Sequence, residues 1–262
     1  MKAIILAAGL GSRLDKYTKN LPKGMLKVYG KSLIERQIET FKRCSIKRII
    51  IVTGYMGNKI NFPDVTYYQN RLFDSTNMVE SLMCAREELE EDIIISYGDI
   101  LFEERVLKQM LDSDNDITVA VDREWKEYWQ SRHGDTSFDT ESLRLDKHEN
   151  IIEIGTPDPD VDDVDGRYVG LLKFSSKGTQ IMKKVYDKAK EDYSGKPWRS
   201  SKSFEQGYMT DLIQEIIDSG YAVKAGIIEK GWLEFDTNED YEKVLQWSES
   251  GFLQSIYRVE LS

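Results

Sequence analysis

The residues best suited to chemistry stand near the start of the chain. Leu6-Ala7-Ala8-Gly9-Leu10-Gly11-Ser12-Arg13-Leu14 is a run of small residues closed by a guanidinium, and Lys23 follows in Leu21-Pro22-Lys23. Small residues let a backbone approach a ligand closely, with its amides turned inward as an anion-binding nest. Arg13 can fork onto phosphate oxygens, and Lys23 adds a compact positive charge. This is the chemistry of a loop that cradles a polyphosphate. Two commoner phosphate loops do not fit. A dinucleotide fingerprint needs a third glycine where Leu14 stands and an acidic residue closing the second strand. A Walker A loop needs Gly-Lys-Ser/Thr at the start of a helix, whereas Lys23 lies between Pro22 and Gly24.

Carboxylates occur at two places that could face such a loop. Asp99 follows Ile93-Ile94-Ile95-Ser96-Tyr97-Gly98, just past an apolar run. Alone it would read as a turn or capping residue; beside the polyphosphate loop it reads as functional. The second place is Gly231-Trp232-Leu233-Glu234-Phe235-Asp236-Thr237-Asn238. Strand alternation puts Trp232, Glu234 and Asp236 on one face and Leu233 and Phe235 on the other. Thr237 or Asn238 can cap the next helix.

The elements that must position these groups are legible in the first half. Short apolar runs at 2–7, 48–53, 65–68 and 92–96 read as strands, the first two and the last of a buried, parallel type. Helical spacing of apolar residues appears at 32–43 and 76–89. Strand and helix in alternation imply βαβ units, right-handed crossovers and a mostly parallel sheet. Ligands bind such sheets beyond the carboxyl ends of the strands, which is where the loop after Leu6 and the turn after Ser96 stand. Later, 103–111, 178–191, 206–219 and 238–247 read as helices, and 117–121, 151–154, 169–174 and 222–228 as strands. Residues 122–142 show no clear period, and 156–166 reads as an acidic, solvated loop.

Composition narrows the function. The 262 residues carry 46 acidic and 36 basic side chains, a formal net charge of -10. Nucleic-acid binders need clustered cations, so nucleic acid is excluded as the main partner. No run of 18 apolar residues occurs, so no membrane span is expected. The apolar start is broken too early by Gly9, Gly11 and Arg13 to act as a signal peptide, and a cytoplasmic address is expected. Cys44 and Cys84 belong to no CxxC and read as core residues in a reducing compartment, without a zinc site.

The LAAGLGSRL run followed by Pro22-Lys23 resembles the signature of the sugar-phosphate nucleotidyltransferase superfamily. The resemblance implies an α/β fold: a single Rossmann-like three-layer domain, with a mostly parallel mixed sheet and helices on both faces. Residues 1–110 would form the nucleotide-binding half, and 111–262 the acceptor-binding half and sheet extension. It further implies that Leu6, Ala7, Ala8, Gly9, Leu10, Gly11, Ser12, Arg13 and Lys23 hold an NTP triphosphate, with Arg13 and Lys23 neutralising it. Asp99 and Asp236 match the positions of the family's Mg²⁺ carboxylates, and two separated hard carboxylates suit that cofactor. An oxygen of the acceptor's phosphate or phosphonate attacks the α-phosphorus, and pyrophosphate leaves. Such an acceptor is already an anion, so no protein nucleophile or base is needed, and no Ser-His-Asp or Cys-His arrangement is present.

Two departures point to one branch. Sugar-nucleotide members open the helix after the third strand with a glycine-centred segment. Here Asp74-Ser75-Thr76-Asn77 stands instead, and Thr76, Asn77 and Tyr97 are the expected base-side contacts. Asn77 both donates and accepts, as a cytosine edge requires. Sugar-nucleotide members also carry Glu-Lys-Pro near the sugar phosphate, whereas this chain has Glu153-Ile154-Gly155-Thr156-Pro157. The pattern is similar to the phosphocholine and phosphoglutamine cytidylyltransferases, a branch that includes enzymes of bacterial surface decoration. CTP and a small anionic acceptor are the implied partners, and a homo-oligomer is compatible with the sequence.

The acceptor's contacts are expected from Arg132, Glu153, Lys173 and Glu234, with Arg123, Lys126 and Arg144 as further cations. Trp125, Tyr128, Trp129 and Arg132 share one helical stripe, which predicts a helix docked on the sheet. Its alternative is a lid over the acceptor with Arg132 on the phosphate. Three other functions stay open at this point. They are a hexose-1-phosphate nucleotidyltransferase using dTTP, UTP or GTP, a GT-A-type glycosyltransferase and a non-catalytic sensor.

Overall fold

The computed structural model describes residues 1–258. Its first part contains β1 (Lys2–Ala7), α1 (Asp15–Thr18), β2 (Lys27–Val28), β3 (Lys31–Ser32), α2 (Leu33–Arg43), β4 (Arg48–Thr53), β5 (Val65–Gln69) and α3 (Met78–Met83). Next come β6 (Ile93–Tyr97), β7 (Ile100–Phe102), α4 (Glu104–Leu111), β8 (Ile117–Asp122) and α5 (Trp125–His133). The remainder is β9 (Glu141–Leu145), β10 (Ile151–Pro157), β11 (Arg167–Phe174), α6 (Ser176–Tyr193), α7 (Met209–Asp218), β12 (Lys224–Ile228), β13 (Trp232–Glu234) and α8 (Asn238–Ser250).

Seven strands form the central sheet, in the order β12-β8-β11-β6-β1-β4-β5. The β12–β8, β6–β1, β1–β4 and β4–β5 pairs are parallel, and β11 runs antiparallel to both its neighbours. The α/β class expected from the alternating pattern is therefore present, as a mostly parallel mixed sheet. Both faces of the central strands are covered, which is why β1, β4 and β6 are largely apolar, whereas the edge strand β5 is polar and partly exposed. Along β1, Ala3 and Ile5 face a core built with α2, α4, α5 and α8. Ile4 and Leu6 face a second core built with α3, α6 and α7.

Local chemistry sets the element ends. Ser32 caps α2 in a reciprocal box: Glu35 N donates to Ser32 Oγ at 3.1 Å, and Ser32 N donates to Glu35 Oε2 at 3.3 Å. The helix expected over 76–89 is shorter. The Thr76 hydroxyl donates to Leu72 O at 2.7 Å in the preceding turn, so the helix starts after Asn77. It stops at Met83, and a 3-10 turn over Arg86–Glu88 carries the chain onward. Residues 122–142 hold α5 and β9, which lack a readable period because α5 is apolar on only one short stripe. That stripe docks as a core element: Trp125, Tyr128 and Trp129 are each 1 % exposed.

The strand expected around Trp232–Asp236 is present as β13, but its partner β7 and the β2–β3 ribbon escaped sequence reading, because segments of two or three residues show no period. The β7–β13 ribbon pairs Ile100 with Glu234 and so joins the two carboxylate segments. Among the described residues no helix is long and apolar enough to cross a membrane.

Register places the functional loops side by side. Leu6 on β1 lies opposite Tyr97 on β6, and Gly98 N donates to Leu6 O at 2.8 Å. A Cβ at Gly98 would lie 2.9 Å from both Leu6 O and Ala7 Cβ. The backbone cannot yield there without opening the β1–β6 pair. Gly98→Ala is therefore expected to destabilise the fold by about 1–3 kcal/mol. A thermal-unfolding midpoint equal to wild type would show that this close approach is not needed.

Candidate active site

Lys23 sits between two carboxylates. Its Nζ lies 2.6 Å from Asp99 Oδ2 and 2.6 Å from Asp236 Oδ1. Three segments converge to make this contact. Lys23 opens a 3-10 turn, and Gly24 beside it packs so tightly that a Cβ there would lie 2.9 Å from Gly98 O. Asp99 stands in the turn between β6 and β7. Buried Gln37 on α2 braces that turn, donating to Tyr97 O at 2.8 Å and to Ile100 O at 2.7 Å. Ser96 Oγ donates to Gln37 Oε1 at 2.6 Å, which fixes the amide's orientation. Phe235 N donates to Asp99 O at 3.1 Å and clips the end of β13 to the same turn.

Asp236 is held from behind. Its N–H donates to Asp240 Oδ2 at 2.9 Å, within the cap of α8. Arg132 from α5 then ties this region together. Its guanidinium donates to Asp240 at 2.8 and 2.7 Å, to Glu234 Oε2 at 2.5 Å and to Asp236 Oδ2 at 3.2 Å. Arg132 also packs over the Trp129 ring, 4.6 Å from its centroid. Arg13, by contrast, is largely exposed and loosely paired: Nη2 lies 3.4 Å from Asp236 Oδ1 and Nη1 lies 3.5 Å from Asp139 Oδ2.

The electrostatics follow from this arrangement. Burial works against the Lys23 charge, but Asp99 and Asp236 outweigh it and hold the ammonium well above the usual lysine range. Burial also opposes the Asp236 charge. Lys23, Arg132 and Arg13 overcome it and hold the carboxylate well below its usual range. Glu234 moves the other way: burial, then the neighbouring Asp236, pushes it up to about 7.

Two cavities meet at this centre. One is lined by Leu6, Ala7, Ala8, Gly9, Lys23 and Gly24 from the loop side, with Thr76, Asn77 and Met78 across from them and Tyr97 and Asp99 between. The other, about 430 Å³, lies beyond Asp99 and Asp236 and is lined by Arg13, Glu141, Arg167, Tyr168, Thr210 and Glu234, among others. Its size suits a small metabolite. Met78, Tyr97 and Asp99 line both cavities, so the carboxylate stands where two bound molecules would touch.

The expected site residues are thus brought together unevenly. Leu6, Ala7, Ala8, Gly9, Lys23, Thr76, Asn77, Tyr97 and Asp99 share the first cavity. Leu10, Gly11 and Ser12 lie on the loop outside its wall, and Gly11 packs with its α-carbon side toward Lys23. Asn77 Oδ1 accepts from Met78 N at 2.9 Å, so its cap uses the acceptor and leaves the NH₂ group for a base.

Three acceptor assignments need correction. Arg132 is 3 % exposed and committed to carboxylates, so it neither reaches a ligand nor belongs to a lid. Lys173 faces the other end of the sheet, opposite Ile94 and Thr118, where its Nζ donates to the Leu111 and Ser113 carbonyls. Glu153 lies on β10 opposite Arg144 and lines neither cavity. Glu234 does line the second cavity. The residues missed were Arg167, Glu141 and Thr210, which sit in stretches whose pattern carries no motif.

Asp99 and Asp236 would suit a divalent cation. They already converge on one positive charge, and Asp99 Oδ1 is buried with no hydrogen-bond partner. Two carboxylates completed by phosphate oxygens and water match the habits of Mg²⁺.

Fold and site together define a nucleotidyltransferase. Residues 3–150 match the MobA-like NTP transferase domain, and the chain belongs to that family. It is 33% identical over 253 residues to the CTP:phosphoglutamine cytidylyltransferase of Campylobacter jejuni subsp. jejuni, covering 92% of this chain and 98% of that protein. It is 41% identical over 106 residues to the choline-phosphate cytidylyltransferase of Streptococcus pneumoniae, covering 39% of this chain and 46% of that protein. The fold is similar to that of the inositol-1-phosphate CTP transferase from T. maritima. That likeness has a TM-score of 0.69 at 22% identity, over 95% of this chain and 96% of that one.

Removing the central ammonium should leave two buried carboxylates facing each other. Lys23→Met is expected to lose roughly 3 kcal/mol of stability in chelator, by the cost of breaking a buried pair. Added Mg²⁺ should raise the variant's unfolding temperature more than that of wild type. Equal responses of the two proteins would show that the carboxylates do not share a cation site. Arg132→Met is likewise expected to cost roughly 3–5 kcal/mol, and Arg132→Lys to restore only part, because an ammonium cannot fork onto three carboxylates. Denaturant unfolding checks both, and a fully stable lysine variant would contradict the assigned fork.

Proposed function

We propose that this chain is a CTP-dependent cytidylyltransferase that joins CMP to a small phosphorylated or phosphonate acceptor, with Mg²⁺ as cofactor. One observation carries the reading: the Lys23 ammonium between Asp99 and Asp236 stands at the shared wall of two cavities. The first cavity is lined only by residues up to Asp99, and the second draws most of its wall from Asp139 onward. That division supports a nucleotide-binding half over 1–110 and an acceptor-binding half over 111–262. CTP is favoured by the cytidylyltransferases among the relatives, and the Asn77 NH₂ offers a donor to the base.

The residues then take these roles. The loop over Leu6–Gly11 follows β1 and receives the triphosphate, with Arg13 at its edge. Lys23 exchanges its carboxylate partners for phosphate oxygens. The Asn77 NH₂ donates to the O2 or N3 acceptors of cytosine. Arg13, 3.4 Å from Asp236, neighbours the incoming acceptor phosphate. Asp99 and Asp236 would hold Mg²⁺, which when bound would supply charge neutralisation to the phosphates. An acceptor phosphate oxygen bonds to the α-phosphorus, the bond to the bridging oxygen breaks, and pyrophosphate departs. The acceptor is anionic from the start, so the protein contributes alignment and charge rather than a base.

The test is pyrophosphate release in a matrix of four NTPs and a panel of small phosphates and phosphonates. CTP is expected to give the fastest turnover, and Asp99→Asn to lower kcat by about a thousandfold, the scale of losing one preorganised charge contact. Turnover confined to dTTP or UTP with a hexose-1-phosphate would contradict the cytidylyl reading. Binding without pyrophosphate release would contradict nucleotidyl transfer.

A further inference from the structure

The second cavity holds two opposite charges that the protein does not pair. Arg167, the first residue of β11, is one. Its Nη2 donates to Asp139 O at 2.9 Å and its Nη1 to Thr140 Oγ1 at 3.5 Å. Its guanidinium packs on the Trp129 ring, 3.3 Å from the centroid, and Trp129 Nε1 is itself anchored to Phe138 O at 2.7 Å. The cation is therefore held firmly in place. Yet among the described residues no carboxylate lies within ion-pair distance of it. Arg132 gathers three carboxylates on the same side of the sheet. Burial outweighs the more distant pull of Glu234, Glu141 and Asp139 and lowers Arg167 to about 10.

Glu141, the first residue of β9, is the other charge. It stands at the open rim of the same cavity, and its carboxylate has no hydrogen-bond or ion-pair partner among the described residues. Desolvation pushes its carboxyl up to about 7. A third group supports a ligand here. Thr210 Oγ1 is buried on the cavity wall without a hydrogen-bond partner. Buried polar atoms without partners are rare in native proteins, and a polar ligand accounts for one.

We propose that the acceptor is a phosphorylated zwitterion, with its carboxylate received by Arg167 and its ammonium by Glu141. This rests on the nucleotidyl-transfer reading and names the substrate class for it. The reacting phosphate belongs near Asp99 and Asp236, where Lys23 pairs with both and Arg13, on the wall of this cavity, lies 3.4 Å from Asp236. Arg167 stands outside ion-pair distance of both carboxylates, so it serves a second anion. A guanidinium matches a carboxylate bidentately, and Trp129 keeps it in one plane. Glu141 balances the ammonium in the same enclosure. Tyr168 and Tyr208 add aromatic walls that tolerate a cation.

Three commercial phosphates separate the two charges. O-phosphoserine carries both, phosphoethanolamine lacks the carboxylate, and 3-phosphoglycerate has a hydroxyl in place of the ammonium. The readout is kcat/KM for pyrophosphate release from CTP. Wild type is expected to favour O-phosphoserine over each of the others by at least about tenfold, the effect of one modest ionic contact. Arg167→Met should bring O-phosphoserine down to the level of phosphoethanolamine while changing phosphoethanolamine by less than about twofold, and Arg167→Lys should retain part of the preference. Glu141→Gln should erase the preference over 3-phosphoglycerate in the same way. Equal rates with all three compounds, or an equal loss on all three in Arg167→Met, would overturn the inference. Turnover with none of the three overturns it as well. Pyrophosphate release with another phosphate in that assay would leave nucleotidyl transfer standing, and release with no phosphate at all would sink both readings.

Discussion

One ammonium between two carboxylates organises this end of the molecule. Lys23, Asp99 and Asp236 come from segments far apart in sequence, and each is positioned by a different device. A close backbone approach at Gly24 and Gly98 sets the first two. The Gln37 bridge steadies the turn that carries Asp99. The β7–β13 ribbon and the cap of α8 deliver Asp236. Two carboxylates this near each other repel, and burial amplifies the cost. A central cation is therefore a requirement of the fold as well as a tool for chemistry.

That requirement explains how an acidic protein can serve polyanionic substrates. Net charge describes the distant field, while the local balance decides what binds. The cations near the site do different work. Arg132 is spent on structure, holding Glu234, Asp236 and Asp240 at once. Such a buried cluster is fragile toward loss of one member and precise in what it positions. Arg13 is exposed and loosely paired, ready to move onto phosphate. Arg167 is fixed by stacking and, among the described residues, has no carboxylate within ion-pair distance. Lys23 lines the first cavity, and Arg13 and Arg167 line the second.

Much of this was legible in the sequence, for reasons that can be named. β1, β4 and β6 are buried on both faces, so they appear as unbroken apolar runs. The LAAGLGSRL loop is legible because its small residues, Arg13 and Lys23 lie close together in sequence. Asp99 and Asp236 were legible through their places at strand ends. The acceptor cavity was not, because its wall is assembled from β9, β11 and α7, where one residue at a time faces inward. Arg167 follows an acidic loop and Glu141 follows a polar stretch, so neither stands in a pattern. Arg132 misled for a related reason. A basic residue on an aromatic stripe suggests a lid, but the carboxylates that capture it lie about a hundred positions away in sequence. β13 was legible from the alternation over Trp232–Asp236, but β7, of three residues, is too short for any period to reveal it.

The central claim is that the Lys23–Asp99–Asp236 centre directs attack on the α-phosphorus of CTP. The most direct measurement follows the label from CTP carrying ³²P at either the α or the γ position, in the presence of Mg²⁺ and a phosphorylated acceptor. The account predicts that α-label appears in a product joined to the acceptor and that γ-label appears only in pyrophosphate. Transfer of γ-label to the acceptor, or release of γ-label as orthophosphate, would contradict it.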